Sequence, residues 1–288
     1  MSYSDNLCTP FELQQLLKGD NTRVLDCSWY LPSQKINSEQ AFREQHIPSA
    51  RFFHFDLVCD RGSDLPHMLP SSEVFSDEIV KLGIHNDDTI VVYDSAGLFS
   101  AARVWWMFRV FGHSEVRVLN GGLPEWIKFG GELSHQVNAT DQPIKASGRY
   151  SCQLDQDKVF NIDTLKKNCE TGEYLVLDAR SHERFLGKAP EPRAGLASGH
   201  MPRSISLPFN RLLEKGKMRP VDQLQSLFSE LGVTENTKLI TSCGSGVTAA
   251  IITLALAESG LGMQGLYDGS WAEWASADDT TVLDIGPC

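Results

Sequence analysis

Short runs of β-branched and aliphatic residues recur along the chain, each bounded by polar or turn-forming positions. TRVLD (22–26), TIVVYD (89–94), YLVLD (174–178) and KLITSC (238–243) have the length and composition of buried strands. Amphipathic helical stretches alternate with them. AAIITLALAESG (249–260) reads as a helix that stops at Gly260. Alternation of strand and helix predicts an α/β fold: a mainly parallel sheet flanked by helices on both faces.

The pattern occurs twice. RVLDCSW, HIPSARFF, DTIVVYDSAGLFSAARVWW and VLNGGLPEW in the first half are echoed by LVLDARS, HMPRSISL, TKLITSCGSGVTAAIIT and LYDGSWAEW in the second. Asp26 matches Asp178, His46 matches His200, Gly97 matches Gly246 and Trp126 matches Trp274, at an offset of about 150 residues. So long a period means a duplicated domain, because solenoid units are only about 20–50 residues long. The segment 137–158 is polar and weakly periodic. The expected organisation is an N-terminal domain over 1–140, a linker over 141–156 and a C-terminal domain over 157–288.

The echo breaks at one position that matters for chemistry. Where the second half has Cys243, the first has Asp94, which cannot do thiol chemistry. One domain is therefore expected to hold a reactive centre and the other to be non-catalytic. In open α/β sheets ligands bind beyond the carboxyl ends of strands. Cys243 stands there, at the turn from KLITS into the helix. If the backbone of Gly244, Ser245, Gly246, Val247 and Thr248 curls into a nest, its N–H groups and the helix N-terminus favour a thiolate over a thiol. A free cysteine at such a turn is equally often a small buried hydrophobe. The polar Asp94 at the matching turn tips the expectation towards an accessible sulfur.

Composition narrows the classes. The net charge of −11, with no Lys/Arg-rich run, argues against nucleic-acid and anionic-membrane partners. The longest apolar run, VTAAIITLALA (247–257), is too short to cross a bilayer. Seven cysteines, an odd number at wide spacing with no CxxC, fit reduced thiols in the cytoplasm better than disulfides or zinc. The N-terminus has neither a signal-peptide nor a transit-peptide pattern.

CGSGVTA, with YDGSWAEW downstream, resembles the active-site region of the mercaptopyruvate sulfurtransferases, within the tandem-domain rhodanese superfamily, and the resemblance runs through both repeats. It implies two rhodanese-like domains and no metal or organic cofactor. Rhodaneses that use thiosulfate carry basic residues directly after the cysteine, whereas Gly244 and Ser245 are neutral. Phosphatases of the same fold need an arginine six positions after the cysteine, and Ala249 stands there.

In RFLGKAPEPRAG (184–195) the resemblance assigns Arg184 and Arg193 to the carboxylate and carbonyl of a 2-keto acid, groups that suit the arginine fork. By composition alone both are ordinary solvated loop arginines. In FFHFDLVCDRGSDLPHMLP (52–70) it assigns Asp56 and His67, with Ser245, to a serine-protease-like proton relay. Read alone, His67 is a capped loop histidine. FHFDLVCD stands where the family has a more aspartate-rich stretch, and Cys59 sits close to the relay that the resemblance implies. Trp105, Trp106, Trp271 and Trp274 read as packing, and His46 and His200 as turn braces. The implied reaction moves sulfur from 3-mercaptopyruvate to Cys243 as a persulfide, then to a thiol, reduced thioredoxin or cyanide. Thiosulfate sulfurtransferase activity and a non-catalytic persulfide carrier are the rival expectations.

Overall fold

The computed structural model describes residues 5–135 and 149–283, so the first half of the expected linker, 141–148, lies outside the described residues. The chain divides into two compact units. The first comprises Met1–Arg61, Leu69–Leu154 and Lys215–Met218; the second comprises Gly62–Met68, Asp155–Glu214 and Arg219–Cys288. Two short segments thus belong with the opposite half of the sequence.

The first unit contains β1 (Leu7–Cys8), α1 (Pro10–Leu16), β2 (Thr22–Asp26), α2 (Ser38–Glu44), β3 (Arg51–Phe52), α3 (Ser72–Lys81), β4 (Thr89–Tyr93), α4 (Ala101–Val110), β5 (Val116–Leu119) and α5 (Gly122–Phe129). Its strand order is β1-β5-β4-β2-β3, with every pair parallel. The second contains β6 (Val159–Phe160), α6 (Ile162–Thr171), β7 (Leu175–Asp178), α7 (His182–Phe185), β8 (Ser204–Ser206), α8 (Val221–Glu230), β11 (Leu239–Ser242), α9 (Ala249–Glu258), β12 (Gly265–Tyr267) and α10 (Ser270–Trp274). The order β6-β12-β11-β7-β8, again all parallel, repeats the first sheet position by position. A hairpin of β9 (Leu213–Glu214) and β10 (Lys217–Met218) turns at Lys215 and Gly216, both with positive φ (52° and 78°). That twist suits a tight hairpin.

The hydrophobic pattern accounts for the layering. β4 and β11 are central strands with apolar runs, and β11 is buried throughout. Helices α4 and α9 are buried almost all round, α9 because AAIITLALA has no polar face. Trp105 and Trp106 are fully buried in α4, as expected of core residues. The matching histidines are braces. His46 Nδ1 bonds to Phe42 O (2.8 Å) and His200 Nδ1 to Phe185 O (2.8 Å), each ring stacked on its phenylalanine. Among the described residues no helix is long and apolar enough to cross a membrane.

Equivalent strands end on equivalent buried carboxylates that have different partners. Asp178 is gripped by Arg180, with Nη2 2.6 Å from Oδ2. At the position of Arg180 the first unit has Ser28, whose N–H donates to Asp26 Oδ1 (2.9 Å) but which brings no cation. Burial, with a contribution from the like charge of Asp94, pushes the Asp26 carboxyl up to about 6. The folded chain therefore holds this proton more tightly than the unfolded chain, and stability falls as pH rises from about 4 to about 6. Asp26→Asn is expected to stabilise the protein by roughly 1–3 kcal/mol at pH 7 and by nothing below pH 4. Urea denaturation at the two pH values checks this; an equal effect at both would refute it.

Candidate active site

Cys243 follows the last residue of β11, a strand paired on both sides by β7 and β12. The sequence led to an expectation of an accessible sulfur, and here it is corrected: Cys243 is 2 % exposed. The loop that follows wraps the residue. The Cys243 and Gly244 carbonyls accept from the N–H groups of Trp271 (2.9 Å) and Ala272 (3.0 Å). The N–H groups of Cys243 (3.2 Å) and Gly246 (3.1 Å) donate to Ser270 Oγ. Gly246, at φ 74°, supplies the left-handed turn. Ser245 and Val247 are buried, and Thr248 ends the loop half-buried at the start of α9.

The first unit shows what this turn does with a negative charge. The Asp94 carboxylate occupies the matching loop and accepts from the N–H groups of Ala96 (3.0 Å), Phe99 (2.7 Å), Ser100 (2.9 Å) and Ala101 (2.9 Å). Its carbonyl accepts from Leu123 N–H (3.0 Å), the counterpart of the Trp271–Cys243 bond. Peptide dipoles therefore converge on an anion at the end of this strand. In the first unit the anion is built in and the loop is covered. A Cβ on Gly97 would lie 2.9 Å from Gly216 O, in the Lys215–Met218 segment, where Met218 N–H also donates to Asn120 Oδ1 (2.8 Å).

Beside Cys243 stands a chain of buried charges. Arg180 lies over Trp271, its Cζ 4.1 Å from the ring centroid; its fork grips Asp178, and Nη1 donates to Glu191 Oε1 (2.9 Å). Glu191 in turn accepts from Arg184, from Nε (3.2 Å) and in a second, shorter bond from Nη2. Arg184 is carried by the short helix α7, capped by Ser181, whose Oγ accepts from Arg184 N–H. A Cβ placed on Gly244 would lie only 3.2 Å from Arg184 Nη2, so the glycine lets the guanidinium reach the loop. Burial first, then the like charge of Arg184, pushes the Arg193 guanidinium down, while Cys243 and Glu191 pull it the other way. Three arginines against Asp178 and Glu191 leave one positive charge in surplus next to the cysteine. Guanidinium groups with spare donors are able to take a carboxylate.

Cys243, Ser245, Arg184 and Arg193 thus all lie in the second unit, with Arg184 against Gly244 of the cysteine loop and Arg193 near enough for the charges of Cys243 and Arg184 to act on it. His67 lies in Gly62–Met68, which also belongs to the second unit, half-buried and at φ 59°. A histidine held left-handed is strained, a condition that gathers at functional sites. Asp56 is exposed in a turn of the first unit. Sequence reasoning missed Arg180, Glu191 and Ser270. The repeat itself carried the signal: Ser28 stands opposite Arg180 and Gly122 opposite Ser270, breaks of the same kind as Asp94 opposite Cys243.

The profile of the rhodanese-like domain matches residues 9–129 and 161–277. The chain is 39% identical over 287 residues to the mitochondrial thiosulfate/3-mercaptopyruvate sulfurtransferase 1 of Arabidopsis thaliana, covering 93% of this chain and 76% of that one. It is 40% identical over 260 residues to the thiosulfate sulfurtransferase of Gallus gallus, covering 89% and 87%. The crystal structure of SseA from Escherichia coli, described as a 3-mercaptopyruvate sulfotransferase, superimposes with a TM-score of 0.82 at 31% identity, covering 92% of this chain and 98% of that one. With two matched domains, and relatives of this similarity aligned over most of their length, the chain belongs to the rhodanese family of sulfurtransferases.

Proposed function

We propose that the protein takes sulfur from 3-mercaptopyruvate. The Cys243 thiolate attacks the donor sulfur, and an S–S bond forms as the C–S bond breaks. The electron pair of that bond passes into the enolate of pyruvate, which Arg184 and Arg193 stabilise through its carboxylate and oxygen. The proton of the donor thiol ends on the enolate carbon, so the products are pyruvate and a Cys243 persulfide anion. Ser245, His67 and Asp56 are the proposed relay for that proton. A thiol such as reduced thioredoxin, or cyanide, then removes the outer sulfur, giving ping-pong kinetics.

The observation that carries this reading is the pairing of a neutral loop with arginines placed to one side. Arg184 borders Gly244, and Gly244 and Ser245 bring no charge of their own. A keto acid meets its cations at the carboxylate end, while a dianion such as thiosulfate finds no cation on the loop itself. Relatives of nearly equal identity are named for either donor, so the comparison of kcat/KM for 3-mercaptopyruvate and thiosulfate is the test. Higher efficiency with 3-mercaptopyruvate is expected; higher efficiency with thiosulfate overturns the donor assignment. The same assay on His67→Ala is expected to show loading from 3-mercaptopyruvate slowed by roughly 10²-fold or more. Unchanged loading would remove the relay.

A further inference from the structure

At the start of α10 the two units share a backbone shape and differ in the residue that adopts it. Gly122 has φ 54° and Ser270, its counterpart, φ 51°. Glycine fills that conformation freely, and a side chain there is strained. In the first unit glycine is required on a second count, because a Cβ on Gly122 would lie 2.2 Å from Asp94 O. The second unit instead keeps a serine, fully buried, at the turn that faces Cys243. Its hydroxyl donates to Tyr267 O (2.8 Å) and accepts from the N–H groups of both Cys243 (3.2 Å) and Gly246 (3.1 Å). One oxygen thus ties together the residue before the loop's bend and the residue that makes it.

We propose that Ser270 is a positioning residue for the sulfur-carrying loop, and that the strained serine is kept because its hydroxyl fixes where the loop's remaining amides point. The proposal deepens the persulfide reading above and rests on it. Strain of this kind persists where surrounding contacts over-determine it, and those contacts here are the cysteine's own amide and that of Gly246. The first unit has no sulfur to hold. Its loop is organised by the Asp94 carboxylate, and the unstrained glycine suffices.

Ser270→Gly separates positioning from stability, because it removes the hydroxyl and the strain together and copies a residue that the fold already uses at this turn. The full-length variant is expected to melt close to the parent, because relief of the strain offsets the loss of the acceptor for two buried amides. It is also expected to load Cys243 from 3-mercaptopyruvate on the order of 10-fold more slowly or worse, with kcat affected more than KM, and to lose the loaded sulfur faster. Ser270→Ala, which keeps the strain and loses the hydroxyl, is expected to be slow and also less stable. A second readout is the rate at which iodoacetamide alkylates resting Cys243, which needs no donor; it is expected to change in both variants. Failure of the parent to load sulfur would defeat the functional reading alone, and alkylation would still decide the role of Ser270. Parent-like loading and alkylation in Ser270→Gly would overturn the proposal. So would activity and melting temperature falling in step, the mark of a purely structural residue.

Discussion

Cys243→Ser is expected to abolish sulfur transfer, lowering kcat/KM by on the order of 10⁴-fold or more while the fold stays intact. The substitution exchanges one small buried atom for another, so its cost in stability is expected to stay near the low end for core changes, about 1 kcal/mol. What disappears is the sulfur proposed to carry the transferred atom. The other described cysteines are poor substitutes. Burial pushes the Cys8 thiol up to about 12, and burial likewise raises those of Cys27, Cys59, Cys152 and Cys169. Thiols so raised hold their protons at neutral pH and are weak nucleophiles. Pyruvate release from 3-mercaptopyruvate, measured for parent and variant with melting temperatures alongside, checks the expectation. Retention of more than a hundredth of the parent rate would mean that sulfur moves by another route.

Arg180→Met is expected to be the most destabilising single change near the site, by about 3–5 kcal/mol. The Arg180 and Asp178 side chains are wholly buried and that of Glu191 nearly so, and the guanidinium satisfies both carboxylates and the Gly199 carbonyl (2.8 Å). Removal of the cation strands two negative charges away from water, a far larger penalty than the loss of a surface ion pair. It also frees Glu191, and with it the anchor of Arg184, so the KM for 3-mercaptopyruvate is expected to rise along with the loss of stability. The double variant Arg180→Met/Asp178→Leu is expected to recover part of the loss, because the stranded carboxylate goes with its partner. Denaturation midpoints for the three proteins decide it. A loss below about 1 kcal/mol in the single variant would show that water or a rearranged neighbour takes over the charge.

Much of this architecture was legible in the sequence because it rests on local signals. Apolar runs such as TIVVYD and KLITSC marked the central strands, the duplicated motifs fixed the pairing of the domains, and Asp94 opposite Cys243 pointed to the loop. Two-residue strands such as β1, β3 and β6 carry no periodicity to read. The association of Gly62–Met68 with the second unit and of Lys215–Met218 with the first depends on long-range packing, to which a local pattern is blind. The sequence left Cys243 evenly poised between buried and accessible, and the polar Asp94 at the matching turn tipped it the wrong way, because that carboxylate is itself buried, satisfied by four amides. Ser270, Arg180 and Glu191 act through other residues, and a side chain that positions another leaves little mark in one sequence. Their trace lay in the repeat, where the second half departs from the first around its cysteine.

Cys243 is the proposed carrier of the transferred sulfur. Intact mass of the protein after exposure to 3-mercaptopyruvate tests it most directly, with the modified peptide mapped afterwards. A gain of one sulfur atom, located on Cys243, lost on treatment with cyanide and absent in Cys243→Ser, is the predicted result. Pyruvate release with no gain in mass, or a gain located on another cysteine, would contradict the account.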